Sequence, residues 1–354
     1  MRVTIVNKHR FESLGGSELQ CDYIATELVK RGQTVNYIVP DGTKKKYNNV
    51  NYKVQNVPFL VSELVESIIQ SRPDIVYWRF NKNLFYQAAK QLKKAGIPII
   101  FAVSHIDDLR PWLFAKGRNI RKKIKFFFVN RFEHRGFKYV DAITVNNSDF
   151  LKSIQFKKKE YIPNGMTSEF EPFEWERPFC IWVANIKYHK RPELFIKLAK
   201  EFEASGVDFL MVGKIQQESY SWIKEKSDLP SNFYYLGKKK VNQVNGILKK
   251  SRLHVHTCIP EGFPNIFIQA WLQGKPTVSL GYDPAGFIVQ ENLGYYSNEN
   301  WDLFCEQAGK LIKDKKQAED IGDRAQVFAK NEFSIEKSVD KLEKLMSEVI
   351  ESKR

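Results

Sequence analysis

The sequence predicts an α/β protein made of two doubly wound parallel sheets in tandem, and three observations carry that prediction. Short β-branched and aromatic runs alternate with helix-length segments along the chain, the pattern of βαβ units in a parallel sheet covered on both faces. The alternation occurs twice, broken by an irregular, acidic, Pro-containing stretch that ends at Pro178. With 354 residues the chain exceeds the size at which one core usually stops growing, so two domains are expected.

In chain order, Val3 to Val6 reads as a strand, about Ser17 to Lys30 as a helix and Thr34 to Val39 as a strand, which makes one βαβ unit. Further strands read at Ile75 to Trp78, Ile97 to Val103 and Ala142 to Val145, so the N-terminal half is Rossmann-like. After Tyr161-Ile162-Pro163-Asn164-Gly165 comes the linker-like stretch, and the boundary is placed there. A second series follows near Phe179 to Val183, Phe209 to Val212, Phe233 to Leu236, Leu253 to Thr257 and Thr277 to Leu280. From Ser334 onward, Val339, Leu342, Leu345, Met346 and Val349 have helical spacing with no strand after them, so this tail is predicted to cross back onto the first domain. The expected division is therefore 1–165, 166–333 and a C-terminal helix within 334–354. Two such domains are expected to leave a cleft at the carboxyl ends of their sheets, where ligands bind in open α/β folds.

Composition narrows the function classes. An apolar fraction of 43% and an aromatic fraction of 14% are enough for a folded core and argue against disorder. The apolar run at the start is too short for a secretory signal, and no stretch reaches the length of a spanning helix, so the chain is expected in the cytoplasm. Cys21, Cys180, Cys258 and Cys305 show no paired spacing and read as reduced, mostly buried thiols. Residues 1–165 hold 29 Lys and Arg against 14 Asp and Glu, whereas the remainder is balanced at 27 of each, so the whole excess of +15 lies in the N-terminal half. A polyanionic partner met by that half alone is implied: nucleic acid, an anionic membrane surface or a phosphate-bearing acceptor.

Several segments carry chemistry. In Leu14-Gly15-Gly16-Ser17-Glu18-Leu19-Gln20, two glycines let backbone approach a ligand, and Ser17 with Gln20 reads as a capping box opening a helix whose free N–H groups favour a phosphate. The spacing is neither a dinucleotide fingerprint nor a Gly-Lys-Ser/Thr phosphate loop. Pro260-Glu261-Gly262-Phe263-Pro264-Asn265-Ile266 runs from a strand into a helix. There a carboxylate can accept from sugar hydroxyls and amides can donate at the helix start. Trp112 to Lys138 carries nine Lys or Arg against Glu133, with Phe114, Ile120, Ile124, Phe126, Phe127, Phe128 and Phe132 interleaved. Such a helix can lie on an anionic membrane through Lys116, Arg118, Arg121, Lys122, Lys123 and Lys125, or it can be a core helix with a solvated basic side. His254 and His256 share a strand face without a third ligand, so no metal site is expected.

The segment Glu261 to Gln269 resembles the Glu-x7-Glu segment of the family 4 glycosyltransferases of the GT-B fold, with Gln269 in the second Glu position. The Gly-Gly loop, His105 after the fourth predicted strand, Ile162 to Gly165 and Lys190 fall in the family's order along the chain. The resemblance implies a nucleotide-diphosphate sugar as substrate on the second domain, a saccharide or lipid-linked acceptor on the first, and transfer with retention of anomeric configuration. No metal or other cofactor is implied. It assigns catalytic roles to Glu261, holding the transferred sugar, to Lys190, gripping the diphosphate, and to His105, which contacts the donor sugar or orients the acceptor hydroxyl. Gly15, Gly16, Asn185, Lys187, Gly262, Phe263, Pro264, Asn265, Ile266 and Gln269 complete the implied donor site. Two positions depart from the family: Asn185 stands where an Arg is usual, with Lys187 or Arg191 available to assist, and Gln269 offers the ribose one donor and one acceptor where Glu only accepts.

A role in cell-surface polysaccharide synthesis, peripheral on the inner face of the cell membrane, is the expectation. The alternatives are a sugar-nucleotide epimerase or phosphorylase of the same fold, a donor-blind scaffold, and a non-catalytic basic protein binding nucleic acid or membrane. No recognised DNA- or RNA-binding motif is present, so no nucleic-acid partner is expected.

Overall fold

The computed structural model describes residues 1–12, 15–43, 51–103, 106–110, 120–148, 151, 154–225, 229–259 and 263–353. These form two compact units, Met1–Gly165 with Ile335–Arg354, and Met166–Ser334.

The first unit contains a seven-stranded, wholly parallel sheet: β1 (Arg2–Val6), β2 (Thr34–Pro40), β3 (Lys53–Val57), β4 (Ile75–Trp78), β5 (Ile99–Val103), β6 (Ala142–Val145) and β7 (Lys159–Tyr161), in the spatial order β3-β2-β1-β4-β5-β6-β7. Strand order reverses between β1 and β4, whose register runs from Val3 opposite Ile75 to Val6 opposite Trp78. Alternation along β1 divides its side chains between two cores. Val3 and Ile5 join the layer of α1 (Gly16–Lys30), whereas Val6 joins that of α2 (Val61–Gln70) and α3 (Phe85–Lys94). A fourth helix, α4 (Ile120–His134), follows in the same unit.

The second unit repeats the scheme with β8 (Phe179–Val183), β9 (Asp208–Val212), β10 (Phe233–Tyr235), β11 (Leu253–His256), β12 (Thr277–Ser279) and β13 (Gly294–Tyr296), all parallel, in the order β10-β9-β8-β11-β12-β13. Its helices are α5 (Pro192–Glu201), α6 (Val241–Lys250), α7 (Asn265–Leu272), the short α8 (Phe287–Gln290), α9 (Trp301–Lys313) and α10 (Lys315–Phe333). Cys180 and Trp182 face one core and Phe179 and Ile181 the other, again by strand alternation.

The last helix, α11 (Ile335–Glu351), belongs to the first unit. Ile335, Val339, Leu342, Leu345, Met346 and Val349 are buried in the core that also holds Val3, Leu28 and Tyr37. Each such full burial is worth about 1.5–3 kcal/mol. Arg31 donates to Asp340 at 2.7 Å and Glu343 at 2.9 Å, and Ser338 donates to the Pro163 carbonyl at 3.0 Å. Gly165 is required at this seam, because a Cβ there would lie 2.6 Å from the Ile335 Cα.

Two readings are corrected. Ser17 and Gln20 form no capping box: the helix begins one residue earlier with Gly15 as N-cap and no side-chain cap, since the Ser17 hydroxyl accepts from Asn7 Nδ2 at 3.0 Å and Gln20 is buried. Three strands were not anticipated. β3 alternates polar residues at the sheet edge, and β7 and β13 are three residues long, too short to show a period. The strand before His105 is consequently the fifth in chain order.

Candidate functional site

In the second unit the segments singled out in the sequence leave the carboxyl ends of β8 and β11. Beyond Val183, the Ala184 N–H bonds to the Val212 carbonyl at 3.1 Å and the Ile186 N–H to the Lys214 carbonyl at 2.8 Å, with Ile186 fully buried. Gly213 makes this close approach feasible, since a Cβ there would sit 1.7 Å from the Ala184 oxygen. The loop then lifts outward: Asn185 is exposed and Lys187 and Lys190 are half-buried.

Tyr188–Lys190 form one tight turn, and Arg191 turns the chain through left-handed backbone at φ 47° before Pro192 opens α5. Pro at a first helical position forfeits no helix bond, because that N–H has no partner in the helix anyway. The Arg191 guanidinium donates from Nε to the Thr257 carbonyl and from Nη1 and Nη2 to the Glu299 carboxylate at 2.7 and 3.0 Å. The Thr257 hydroxyl lies 2.9 and 3.0 Å from the Lys190 and Arg191 carbonyls and accepts from Trp182 Nε1 at 2.9 Å. The backbone of Lys190 is thus fastened to the ends of β8 and β11. Thr257 and Glu299 went unrecognised in the sequence, where nothing local marks a polar residue that braces a loop 66 or 108 positions away.

Helix α7 starts after Pro264, which is extended and offers no side-chain cap, so the first turn presents its amides at the positive end of the helix. Asn265 and Ile266 are half-buried there and Gln269, one turn on, is buried. The Phe263 side chain packs into the core of its own unit. Its ring is buried among Trp271, Phe287 and Phe333, at 5.3 Å from the last, which leaves only its backbone for a donor contact. Glu261 and Gly262 lie outside the described residues.

His254 and His256 point to one face of β11 and pack on Phe267, 5.6 and 4.5 Å from its ring. Each Nδ1 meets a hydroxyl, of Thr277 and Ser279, while the Nε2 atoms are buried without a partner. Burial pushes His254 down to about 3 and His256 well below the usual range, helped for His256 by His254, Lys190 and Arg191, so both are neutral at physiological pH.

In the first unit Gly15 caps α1 and Gly16 is exposed at its start. His105, Lys116 and Arg118 lie outside the described residues, as does the Lys122 side chain. On α4, Arg121 and Lys125 are exposed and Lys123 is half-buried. The helix also exposes Ile124, Phe126, Phe128, Val129 and Phe132, with Phe128 63% exposed. The reading of these phenylalanines as core is therefore wrong for Phe126 and Phe128. The inner face is held by Asn130, which donates to the Arg110 carbonyl at 3.0 Å, and by Glu133, whose carboxylate accepts the Tyr86 N–H at 2.8 Å. Burial pushes the Glu133 carboxyl up, while the Tyr86, Leu84 and Phe85 amides oppose the shift.

Residues 167–328 match the family described as Glycosyl transferases group 1, and residues 14–170 match Glycosyltransferase Family 4. Comparison with curated protein sequences finds no match. Among solved structures, a sucrose-phosphate synthase of Thermosynechococcus elongatus is similar with a TM-score of 0.76 at 11% identity, over 99% of this chain and 100% of that one. Anabaena HepE, solved in complex with UDP and glucose, gives 0.70 at 15%, over 98% and 99%. WaaG, a glycosyltransferase involved in lipopolysaccharide biosynthesis, gives 0.69 at 14%, over 99% of both chains.

Proposed function

Because this chain belongs to the family 4 glycosyltransferases of the GT-B fold, we propose that it transfers a glycosyl group, with retention, from a nucleotide-diphosphate sugar held by its second unit. The acceptor is a saccharide or lipid-linked saccharide held by the first unit, in cytoplasmic assembly of a cell-surface polysaccharide.

The observation that carries this reading is the braced loop bearing Lys190 at the carboxyl end of β8, beside the uncapped start of a helix that follows β11 in the same sheet. A leaving diphosphate gains negative charge as the sugar bond breaks. An ammonium carried on a braced backbone, together with aligned amides, stabilises that charge with little reorganisation when it forms. Lys190 takes the diphosphate, with Lys187 assisting where the family's Arg is replaced by Asn185. Glu261 holds the transferred sugar, Gln269 the ribose, and the backbone at Gly15 and Gly16 contributes further donors. His105 contacts the donor sugar or orients the acceptor hydroxyl. No divalent cation is needed if these groups compensate the charge, which places the chemistry in the protein's own donors. The outer face of α4, which mixes cations with exposed phenylalanines, supports an acceptor met at an anionic membrane surface.

Thermal unfolding with UDP-, GDP-, dTDP- and ADP-sugars, without metal and again with EDTA, tests the donor site. One nucleotide should raise the midpoint insensitively to EDTA, and Lys190→Ala and Glu261→Ala should each reduce the rise. No rise with any of the four overturns the proposal and returns weight to a donor-blind scaffold.

A further inference from the structure

A cavity of about 220 Å³ opens at the carboxyl ends of β1, β4 and β5, its lining including Asn7, Lys8, Ser17, Glu18, Arg79 and Asp108. That is room for about seven waters at their liquid volume. It lies where strand order reverses between β1 and β4, the position at which open α/β sheets take ligands.

Arg79 is the unusual member. It follows β4 directly, and the backbone N–H groups of Arg79 and Phe80 both bond to the Val6 carbonyl, at 3.0 and 2.9 Å, which fixes it at the floor of the cavity. The residue is 9% exposed, yet no carboxylate of the described residues pairs with it. Nη2 donates to the Asn164 side-chain oxygen at 3.0 Å, Nη1 lies 3.5 Å from the Tyr77 hydroxyl, and Nε is buried with no partner. A guanidinium taken out of water with only neutral partners and one vacant donor carries an unrecovered desolvation cost. A planar oxyanion in the cavity, set against the part of Arg79 that lines it, offsets that cost through its charge.

We infer that Arg79 reads an anionic substituent on the acceptor, so that the cavity takes a sugar bearing a carboxylate or a phosphate ester. The proposal rests on the glycosyltransferase reading and names the substrate class of its acceptor side. Lys8, exposed at the rim, adds a second cation, while Glu18 and Asp108 accept from the sugar's hydroxyls. One anionic group is accommodated and a second is disfavoured by those two carboxylates.

The test is calorimetric titration of the full chain with D-glucuronate, glucose 6-phosphate, inorganic phosphate and glucose, on wild type, Arg79→Met and Lys8→Gln. Glucuronate or glucose 6-phosphate should bind at least tenfold more tightly than glucose and than inorganic phosphate. Whichever of the two binds identifies the anion as carboxylate or phosphate ester. Arg79→Met should lose at least tenfold in that affinity and Lys8→Gln two- to fivefold, with glucose affinity unchanged. Should Arg79→Met fail to fold, Lys8→Gln and the wild-type order of affinities still decide. Equal binding of glucose and the acidic sugars overturns the inference, and so does inorganic phosphate binding as tightly as either. Loss of the acidic-sugar preference alone, with a nucleotide-sugar still stabilising the protein, sinks only this inference. Absence of nucleotide-sugar stabilisation sinks the reading beneath it.

Discussion

Arg191 and Glu299 form a two-pronged ion pair, at 2.7 and 3.0 Å, across 108 residues of sequence. The guanidinium is also bonded to the Thr257 carbonyl, and its own backbone is left-handed. One side chain therefore holds the strained turn after Lys190 against the ends of two other strands. Glu299→Gln removes the charge but keeps an acceptor. It should lower stability by about 1–2 kcal/mol, because a charged hydrogen-bonded pair is worth more than a neutral one and this carboxylate is half-exposed. Urea unfolding measures that loss. If the pair positions Lys190, KM for the nucleotide sugar should rise about tenfold with kcat less affected, a split that a purely structural role would not give.

Gly213→Ala tests the foundation of the same loop. The new methyl group would overlap the Ala184 carbonyl, which is backbone and has little room to yield. Overpacking of this kind costs about 1–3 kcal/mol. A lowered unfolding midpoint together with weakened nucleotide-sugar stabilisation is expected; wild-type values for both would show that the approach of β9 to the loop is looser than described.

Acid should destabilise the second unit through His254 and His256. Their folded-state values are depressed below the unfolded value near 6.5, so folding favours the neutral form, and the stability this confers is complete above that value. As pH falls the unfolded chain takes up protons that the folded chain refuses, and stability is lost from about pH 6.5 down towards 3. At pH 5 the loss for His254 is about 2 kcal/mol, from roughly 1.4 kcal/mol per pH unit. His254→Gln should flatten the fall in urea midpoint between pH 7 and 5 by about half; an unchanged slope would place the acid sensitivity elsewhere.

Much of the fold was legible because a doubly wound sheet repeats one simple rule. A strand between two helical layers tends to be apolar on both faces, so Ile75 to Trp78 or Phe179 to Val183 stands out as an unbroken run. The edges did not obey that rule. β3, at the sheet edge, mixes Lys53, Gln55 and Asn56 into its five residues. The Gly15-Gly16 turn was visible as residues, but its closure was misread, because Ser17 is taken by Asn7 from β1's end and not by its own helix. The candidate site was legible where a local string carries it, as at Lys190 and Asn265. Thr257, Glu299 and Arg79 act through tertiary partners, and a buried guanidinium without a carboxylate looks like any other Arg in sequence. Phe263 was visible as a residue, but the packing of its ring among Trp271, Phe287 and Phe333 was not, since a ring next to a glycine reads equally as ligand wall or core.

Helix α4 supplies a prediction about location. Cations at Arg121 and Lys125 share its outer surface with Ile124, Phe128 and Phe132, and Arg135 lies 4.8 Å over the Tyr86 ring. Exposed Ile124, Phe128 and Phe132 stand at i, i+4, i+8 spacing, an apolar stripe of the kind that marks an interaction surface. On an anionic bilayer the rings enter the headgroup boundary while the cations stay at the phosphates, each worth about 1 kcal/mol near such a surface. The full chain should therefore sediment with phosphatidylglycerol vesicles and not with phosphatidylcholine vesicles. Phe128→Ser should weaken the association about tenfold at any ionic strength, through lost apolar burial. Lys125→Gln should instead weaken it mainly at low salt, where the cation's attraction is unscreened. Equal binding of both vesicle types, or a Phe128→Ser variant that binds as wild type, would assign α4 to another partner.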